Sequence, residues 1–371
     1  MQRIRFGIVG AGWRSEFFQR AAAAAPERFE MAGAVVRDPA KGAAFEKKWD
    51  RPSFRTIDAM LSAGTPRFVV VCVKWAPTPE VIAALGERGV PVLSETPPAP
   101  DIPGLVALNE RADREGWKVQ VAEQYPFQPH HAARISAAQS GILGTVTQAQ
   151  VSCAHGYHGV SLIRRFLGVR FEEADIVARE FTSPLLAAAE RADVVKAARW
   201  DAPKQLPAID AMMESKQTLA WLDFGGRLGV FDFAKGQYDA RIRNPRILVR
   251  GERGEILNDE AFVLKDGRTP LRIPFERFQA GAHGNLEGHH LLGIQFCDRW
   301  VYENPVAPAR LFDDEIAVAS CLLKMDEYVE TGRDFYSLAE ASQDHYLSIL
   351  SNRAAKEKIA LRAERQPWAR A

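Results

Sequence analysis

The chain has 371 residues, too many for one ordinary hydrophobic core, so two domains are expected. Its 48 Lys and Arg balance 47 Asp and Glu, and no basic block appears, which argues against a nucleic-acid partner. Apolar residues make up 47% and charged residues 26%, the balance of a soluble globular protein, and no apolar run is long enough to span a membrane.

In chain order, Ile4–Val9 is a strand, Trp13–Ala25 a helix with Trp13, Phe17 and Ala21 on one face, and Met31–Val36 a second strand. Arg67–Val73 is almost wholly apolar, as a strand covered on both faces would be. Pro79–Arg88 is a helix stopped by Gly89, Val92–Ser94 a strand, Leu105–Glu115 a helix and Lys118–Ala122 a strand. This alternation predicts a doubly wound parallel sheet of the Rossmann type over residues 1–123. From Gln124 the character changes. A helix covers part of Gln128–Gly144, Thr145–Ala154 alternates like a half-exposed strand, and Leu219–Phe233 is a hairpin turning at Gly225–Gly226. Arg246–Leu257 suggests another strand pair, Pro184–Pro207 shows no clear pattern, and Leu338–Lys356 is a final helix. Residues 124–371 are therefore expected to form a second α/β domain around an open, mostly antiparallel sheet.

Cys72, Cys153, Cys297 and Cys321 are scattered without a CxxC pair, as in a reduced cytoplasmic protein, and the N-terminus lacks a secretory-signal pattern. His155 and His158, with His289 and His290 farther on, lack an accompanying carboxylate, so no metal site is expected.

Between the first strand and first helix stands Gly10-Ala11-Gly12-Trp13-Arg14-Ser15, a G-x-G-x-x-S turn. The first glycine permits the tight turn and the second lets the backbone approach a pyrophosphate, which the helix N-terminus attracts. Ser15 replaces the third glycine, a small change at a packing position. This predicts a dinucleotide site including Gly10, Gly12, Trp13, Arg14 and Ser15. At the end of the second strand, an acidic residue would accept from the ribose hydroxyls; here Arg37 precedes Asp38. Arg37 favours a 2′-phosphate, hence NADP over NAD, while both residues also suit a solvated turn.

The stretches "IRFGIVGAGWRS", "VVVCVKWAPTPEVIAALGERGVPVLSETP", "EQYPFQP", "SGILGTVTQAQV" and "RILVRGERGEI" stand in an order that resembles the Gfo/Idh/MocA family of glucose–fructose oxidoreductases and inositol dehydrogenases. The resemblance implies NAD or NADP, hydride transfer at a sugar, cyclitol or related polyol, and homodimers or homotetramers associating through the open sheet. It places Val73, Glu95 and Gln124 beside the cofactor. It also implies a catalytic lysine in a Glu-Lys-Pro triplet, then an aspartate and a histidine four residues apart. In this chain Thr96 stands where that lysine would be, Ala154 replaces the aspartate, and His158 matches the histidine. Thr96 can hydrogen-bond a reacting oxygen but not titrate near neutrality, whereas an imidazole with a pKa near ~6.5 can serve as base. Lys74 and Tyr157 are further candidates to assist, with an exposed loop lysine the plainer reading of Lys74. Two other readings stay open: a redox-assisted lyase, epimerase or glycosidase with tightly held cofactor, and a non-catalytic dinucleotide- or sugar-binding protein.

Overall fold

The computed structural model describes residues 3–186, 212–238, 240, 242–281 and 288–369, so most of the patternless segment Pro184–Pro207 lies outside the described residues. The chain groups into two compact units, one of Met1–Ala137, Pro274–Tyr346 and Arg365–Ala371, the other of Ala138–Ile273 and Leu347–Glu364. The grouping is thus not a single cut after residue 123: residues 124–137 and two later segments join the N-terminal unit.

The N-terminal part of the first unit holds a six-stranded sheet: β1 (Ile4–Val9), β2 (Phe29–Val35), β3 (Ser53–Phe54), β4 (Phe68–Val71), β5 (Val92–Ser94) and β6 (Val119–Val121). They line up as β3-β2-β1-β4-β5-β6, and every neighbouring pair is parallel. The order reverses between β1 and β4, which puts a crevice at their carboxyl ends. The β4 sequence Phe-Val-Val-Val is buried throughout, as a strand with helices on both faces must be.

Helix ends follow local chemistry. In α1 (Ser15–Ala24) the chain leaves the glycine turn directly. In α2 (Pro39–Trp49), Asp38 caps the N-terminus and Pro39 occupies the first turn. Thr56 caps α3 (Ile57–Ala63) through an acceptor bond from Ala59 N–H. After α3 come α4 (Thr78–Gly86) and α5 (Ile102–Glu115), the latter capped by Asp101 and stopped by Gly116. On one face of the sheet, Met60, Ile82, Leu85 and Leu108 pack on Val69 and Val71. On the other, Phe18 and Ala21 of α1 meet Ile316, Ala319 and Leu322 over Phe6, Ile8 and Val70. Ile316, Ala319 and Leu322 belong to no N-terminal helix but to one at Asp313–Thr331.

The second unit starts within α6 (Pro129–Gln139). Its strands are β7 (Val146–Ser152), β8 (Ala174–Leu186), β9 (Met212–Asp223), β10 (Leu228–Ala234), β11 (Arg246–Gly251), β12 (Gly254–Leu257) and β13 (Glu260–Leu264). The three strands that follow are β14 (Pro270–Gly281), β15 (His289–Phe296) and β16 (Arg299–Glu303), and β17 (Leu361–Ala363) comes last in the chain. Within the second unit the order is β13-β12-β11-β7-β10-β9-β8-β17, antiparallel except at β7–β10. The β9–β10 hairpin turns at Gly225 and Gly226, with φ of 73° and 92°, the conformation that the paired glycines predict. The helix α7 (Gly156–Leu167) lies against β10, where Gly159 faces the Phe231 ring so closely that a Cβ would collide. One sheet face is buried through Ala149, Val151, Ile176, Ala220, Leu222 and Val249, while Val177, Phe181, Trp221, Leu257 and Phe262 stay exposed on alternate positions.

β14, β15 and β16 form an antiparallel ladder, and from Pro274 onward these strands group with the first unit. They are followed by α8 (Asp313–Thr331) and α9 (Leu338–Glu357). Among the described residues, no helix is long and apolar enough to cross a membrane, and the four cysteines are free thiols.

Candidate functional site

In the first unit the residues that the sequence singles out gather on one edge of the parallel sheet. Gly10–Ser15 follows β1, Arg37 and Asp38 follow β2, Val73 and Lys74 follow β4, Glu95 and Thr96 follow β5, and Gln124 follows β6. All are carboxyl ends, because every strand runs the same way.

Gly10 takes φ +110°, and a Cβ there would collide with the Cys72 carbonyl oxygen. Its N–H donates to Val35 O at 3.0 Å, tying the turn to β2. At Gly12 a Cβ would meet nothing within 4 Å, so the loop is open on the side a phosphate would approach. Ser15 is 1% exposed, and its hydroxyl donates to Gly12 O at 2.6 Å. The serine therefore fills the packing position and fastens the loop. Trp13 is exposed, edge-on to Phe17 with centroids 5.0 Å apart.

Arg14 is spoken for. Its Nε donates to Glu95 Oε1 at 3.0 Å and its Nη1 to Asp314 Oδ2 at 2.9 Å. The guanidinium also lies over Phe17, 4.4 Å from the ring centroid. Burial works against the Arg14 charge, yet the attraction of Glu95 and Asp314 outweighs it and raises the pKa. Burial likewise pushes the Glu95 carboxyl up, with Arg14 pulling it back. Asp314 also accepts from Gln128 Nε2 at 3.1 Å. Arg14 contributes to the turn chiefly through this triad, leaving Nη2 buried without an acceptor among the described residues.

Thr96 is half-buried, its N–H 3.4 Å from Glu95 Oε2, and the Thr96–Pro97 peptide is cis. Val73 is half-buried, and Lys74 is exposed with its carbonyl accepting from Thr78 Oγ1 at 3.0 Å. Gln124 is buried, and its Oε1 has no partner among the described residues. An orphaned amide oxygen at a strand's carboxyl end suits a bound carboxamide or hydroxyl donor. The open loop, the amides of the first α1 turn and this oxygen together fit a nicotinamide dinucleotide.

At the adenosine end, Asp38 Oδ1 accepts from Ala40 N at 2.9 Å and Lys41 N at 3.1 Å. The Lys41 bond leads in holding its carboxyl below the usual range. Arg37 is exposed beside it. Sequence reasoning did not find Arg55, whose Nη1 reaches Val36 O at 2.6 Å and Asp38 O at 3.3 Å. Nor did it find Asp314, although an Asp-Asp-Glu run before an apolar stretch is a helix-start signal.

In the second unit, His158 lies in the first turn of α7 and is 5% exposed. His155 precedes the helix, its Nδ1 2.7 Å from the Tyr238 hydroxyl, which also accepts from His155 N at 3.0 Å. The His158 ring centroid is 4.4 Å from Tyr157 and 4.9 Å from His155. An aromatic wall thus surrounds the imidazole where Ala154, fully buried, leaves no carboxylate. Ser161 Oγ donates back to His158 O at 2.9 Å. His289 and His290 lie on β15, outside this unit. Among the described residues no cluster of three or more His, Cys, Asp or Glu is placed to hold a metal.

Comparison with known proteins agrees with this layout. Residues 4–123 match the model of an oxidoreductase family with an NAD-binding Rossmann fold. No curated protein sequence matches the chain significantly. Among solved structures, an Agrobacterium radiobacter oxidoreductase in complex with NAD+, L-tartaric acid and magnesium superposes with TM-score 0.67 at 14% identity, covering 97% of this chain and 98% of its own. The apo scyllo-inositol dehydrogenase of Lactobacillus casei gives 0.64 at 15% identity, over 97% and 98% of the two chains. The WlbA dehydrogenase of Chromobacterium violaceum, in complex with NADH and UDP-GlcNAcA, gives 0.61 at 16%, over 98% and 97%.

Proposed function

We propose, from the match of residues 4–123 to the NAD-binding Rossmann fold of the Gfo/Idh/MocA oxidoreductase family, that the protein is an NAD(P)-dependent oxidoreductase of a sugar, cyclitol or related polyol. The observation that carries this reading is the Gly10 turn at the β1/β4 crevice, with Glu95, Thr96 and Gln124 on the same sheet edge. A fold neighbour named a scyllo-inositol dehydrogenase and another in complex with UDP-GlcNAcA support the substrate class. When bound, the dinucleotide supplies a hydride acceptor or donor.

The chain's own residues divide the remaining work. Gly10, Gly12, Trp13, Ser15 and the start of α1 hold the diphosphate, with Arg14 and Glu95 bracing the loop. Val73 and Gln124 border the nicotinamide. In the first unit Thr96 is the candidate hydrogen-bond donor to a reacting oxygen, with Lys74 to assist; in the second, His158 is the candidate proton-transfer group, with Tyr157 beside it. His155 and Tyr238 take over the orienting role of the absent aspartate by walling in the His158 ring. Arg37 and Arg55 give the adenosine end a preference for the 2′-phosphate, since Asp38 is committed to capping α2.

A second copy of the chain covers the exposed sheet face of Val177, Phe181, Trp221 and Phe262, which is apolar in the manner of an association surface. Fluorescence titration with NADH and NADPH, followed by turnover on a polyol panel, tests the whole reading. Exchangeable cofactor and stoichiometric NAD(P)H formation support it, and absence of dinucleotide binding removes it. Cofactor that co-purifies and does not exchange points instead to a redox-assisted lyase, epimerase or glycosidase.

A further inference from the structure

One polar cavity of the second unit has no part in the chemistry above. It has a volume of about 360 Å³ and is lined by Ser152, Gln217, Gln237, Arg243, Arg246 and Asn258, among others. The sheet explains the gathering. Arg246 opposes Ser152 across β11–β7, and Gln217 opposes Ala234 across β9–β10, so side chains from four strands converge at one sheet end.

Among the described residues the charges there do not balance. Asp232 is 4% exposed and accepts from Arg246 Nη2 at 2.9 Å and from Gln217 Nε2. That carboxylate neutralises Arg246. Arg243 has no such partner among the described residues, and its Nε is buried without any acceptor. A guanidinium is always charged, and a buried donor on it without an acceptor is costly, so the lining calls for an anion that no described residue provides. The volume falls within the range of small-molecule sites.

We propose that this cavity binds the oxyanion of a polyol or sugar substrate, a carboxylate or a phosphate, and that Arg243 is the group that takes it. The proposal rests on the polyol oxidoreductase reading and narrows its substrate to sugar acids or sugar phosphates. The chain connects the cavity to the imidazoles. Gln237, whose Nε2 donates to Ser152 O at 2.6 Å, precedes Tyr238, and the Tyr238 hydroxyl holds His155 Nδ1 at 2.7 Å. Three residues beyond Ser152 is His155 itself. Arg243 offers the fork geometry that matches carboxylate and phosphate oxygens.

Calorimetric titration of the full chain with sodium glucuronate, glucose 6-phosphate and neutral myo-inositol tests this. At least one anion should bind ~10-fold or more tightly than myo-inositol, the ratio expected for a charge-assisted bond. Glucuronate alone would identify a carboxylate site, glucose 6-phosphate alone a phosphate site. Arg243→Met should weaken the anion ~10-fold or more while Arg243→Lys restores part of it, with NADH binding unchanged in both. Anion affinity no better than that of myo-inositol, or equal in wild type and Arg243→Met, overturns the proposal. NADH uptake without anion binding removes this site and leaves the oxidoreductase reading. Anion binding without NADH or NADPH uptake does the reverse.

Discussion

Arg14 and Glu95, 81 residues apart in sequence, form an ion pair of 3.0 Å in which the side chains keep only 21% and 10% of their exposure. The pair joins Arg14, in the glycine turn just ahead of α1, to the residue that follows β5. Replacing Arg14 with Ala strands a buried carboxylate, a defect of about 3–5 kcal/mol. Chemical denaturation of Arg14→Ala should show a loss of that order.

The same pair sets a pH dependence. Burial raises the Glu95 pKa above its ordinary 4.5, although Arg14 opposes the shift. The folded chain therefore holds that proton more tightly than the unfolded chain does. The stability this group adds is present below 4.5 and disappears as pH climbs through the folded value. Glu95→Gln cannot titrate, so wild type should lose stability relative to this variant as pH rises through that window. Unfolding midpoints of the two proteins across the acid-to-neutral range check the sign.

Gly10→Ala places a methyl group against the Cys72 carbonyl at φ +110°. Backbone strain of this kind costs about 1–3 kcal/mol, and relieving it would shift the turn. Thermal unfolding should fall accordingly, and NADH affinity should drop about tenfold or more as the turn loses its shape.

At the adenosine end, Arg55→Ala and Arg37→Ala should each weaken NADPH by about tenfold, the worth of one charge-assisted bond, and leave NADH nearly unchanged. Parallel titrations with both dinucleotides read this out. Equal losses for the two cofactors would remove the assignment of these arginines to a 2′-phosphate.

His158→Asn should lower kcat by about 10²–10⁴-fold with cofactor affinity intact, the usual contribution of a positioned base. Tyr238→Phe, which deletes the hydroxyl held by His155 at 2.7 Å, should give a smaller loss and a shifted pH–rate profile. A profile unmoved in both variants would transfer the proton to another group, Lys74 or Tyr157.

On the exposed face, Trp221 pairs across the ladder with Val177 and is 60% exposed. Trp221→Lys should shift light-scattering mass toward the monomer without altering the unfolding temperature. An unchanged mass would place any association elsewhere.

Local signals account for what the sequence disclosed. β1 and β5 fall where the apolar runs place them, because a strand between helices must be apolar on both faces. The Gly225–Gly226 turn is legible because two adjacent positive φ angles demand glycine. By contrast α8 was missed, since its first half is buried almost all round through Glu315–Leu322 and presents no polar stripe to give a helical period. Asp314 and Arg55 escaped notice for a related cause: their neighbours are set by tertiary placement, and nothing near them in sequence points to Arg14 or Asp38.

The Arg14–Asp314 bond spans 300 residues, and Leu322 and Ile316 of the same helix close one face of the parallel sheet. A ribosome releases the strands of that sheet long before it makes their cover. The nascent first unit must therefore linger with apolar surface bare and Arg14 short of one of its two carboxylate partners, and a chain halted after Glu123 would be a target for chaperones or aggregation. The N-terminal fold is thus completed last, although it is begun first.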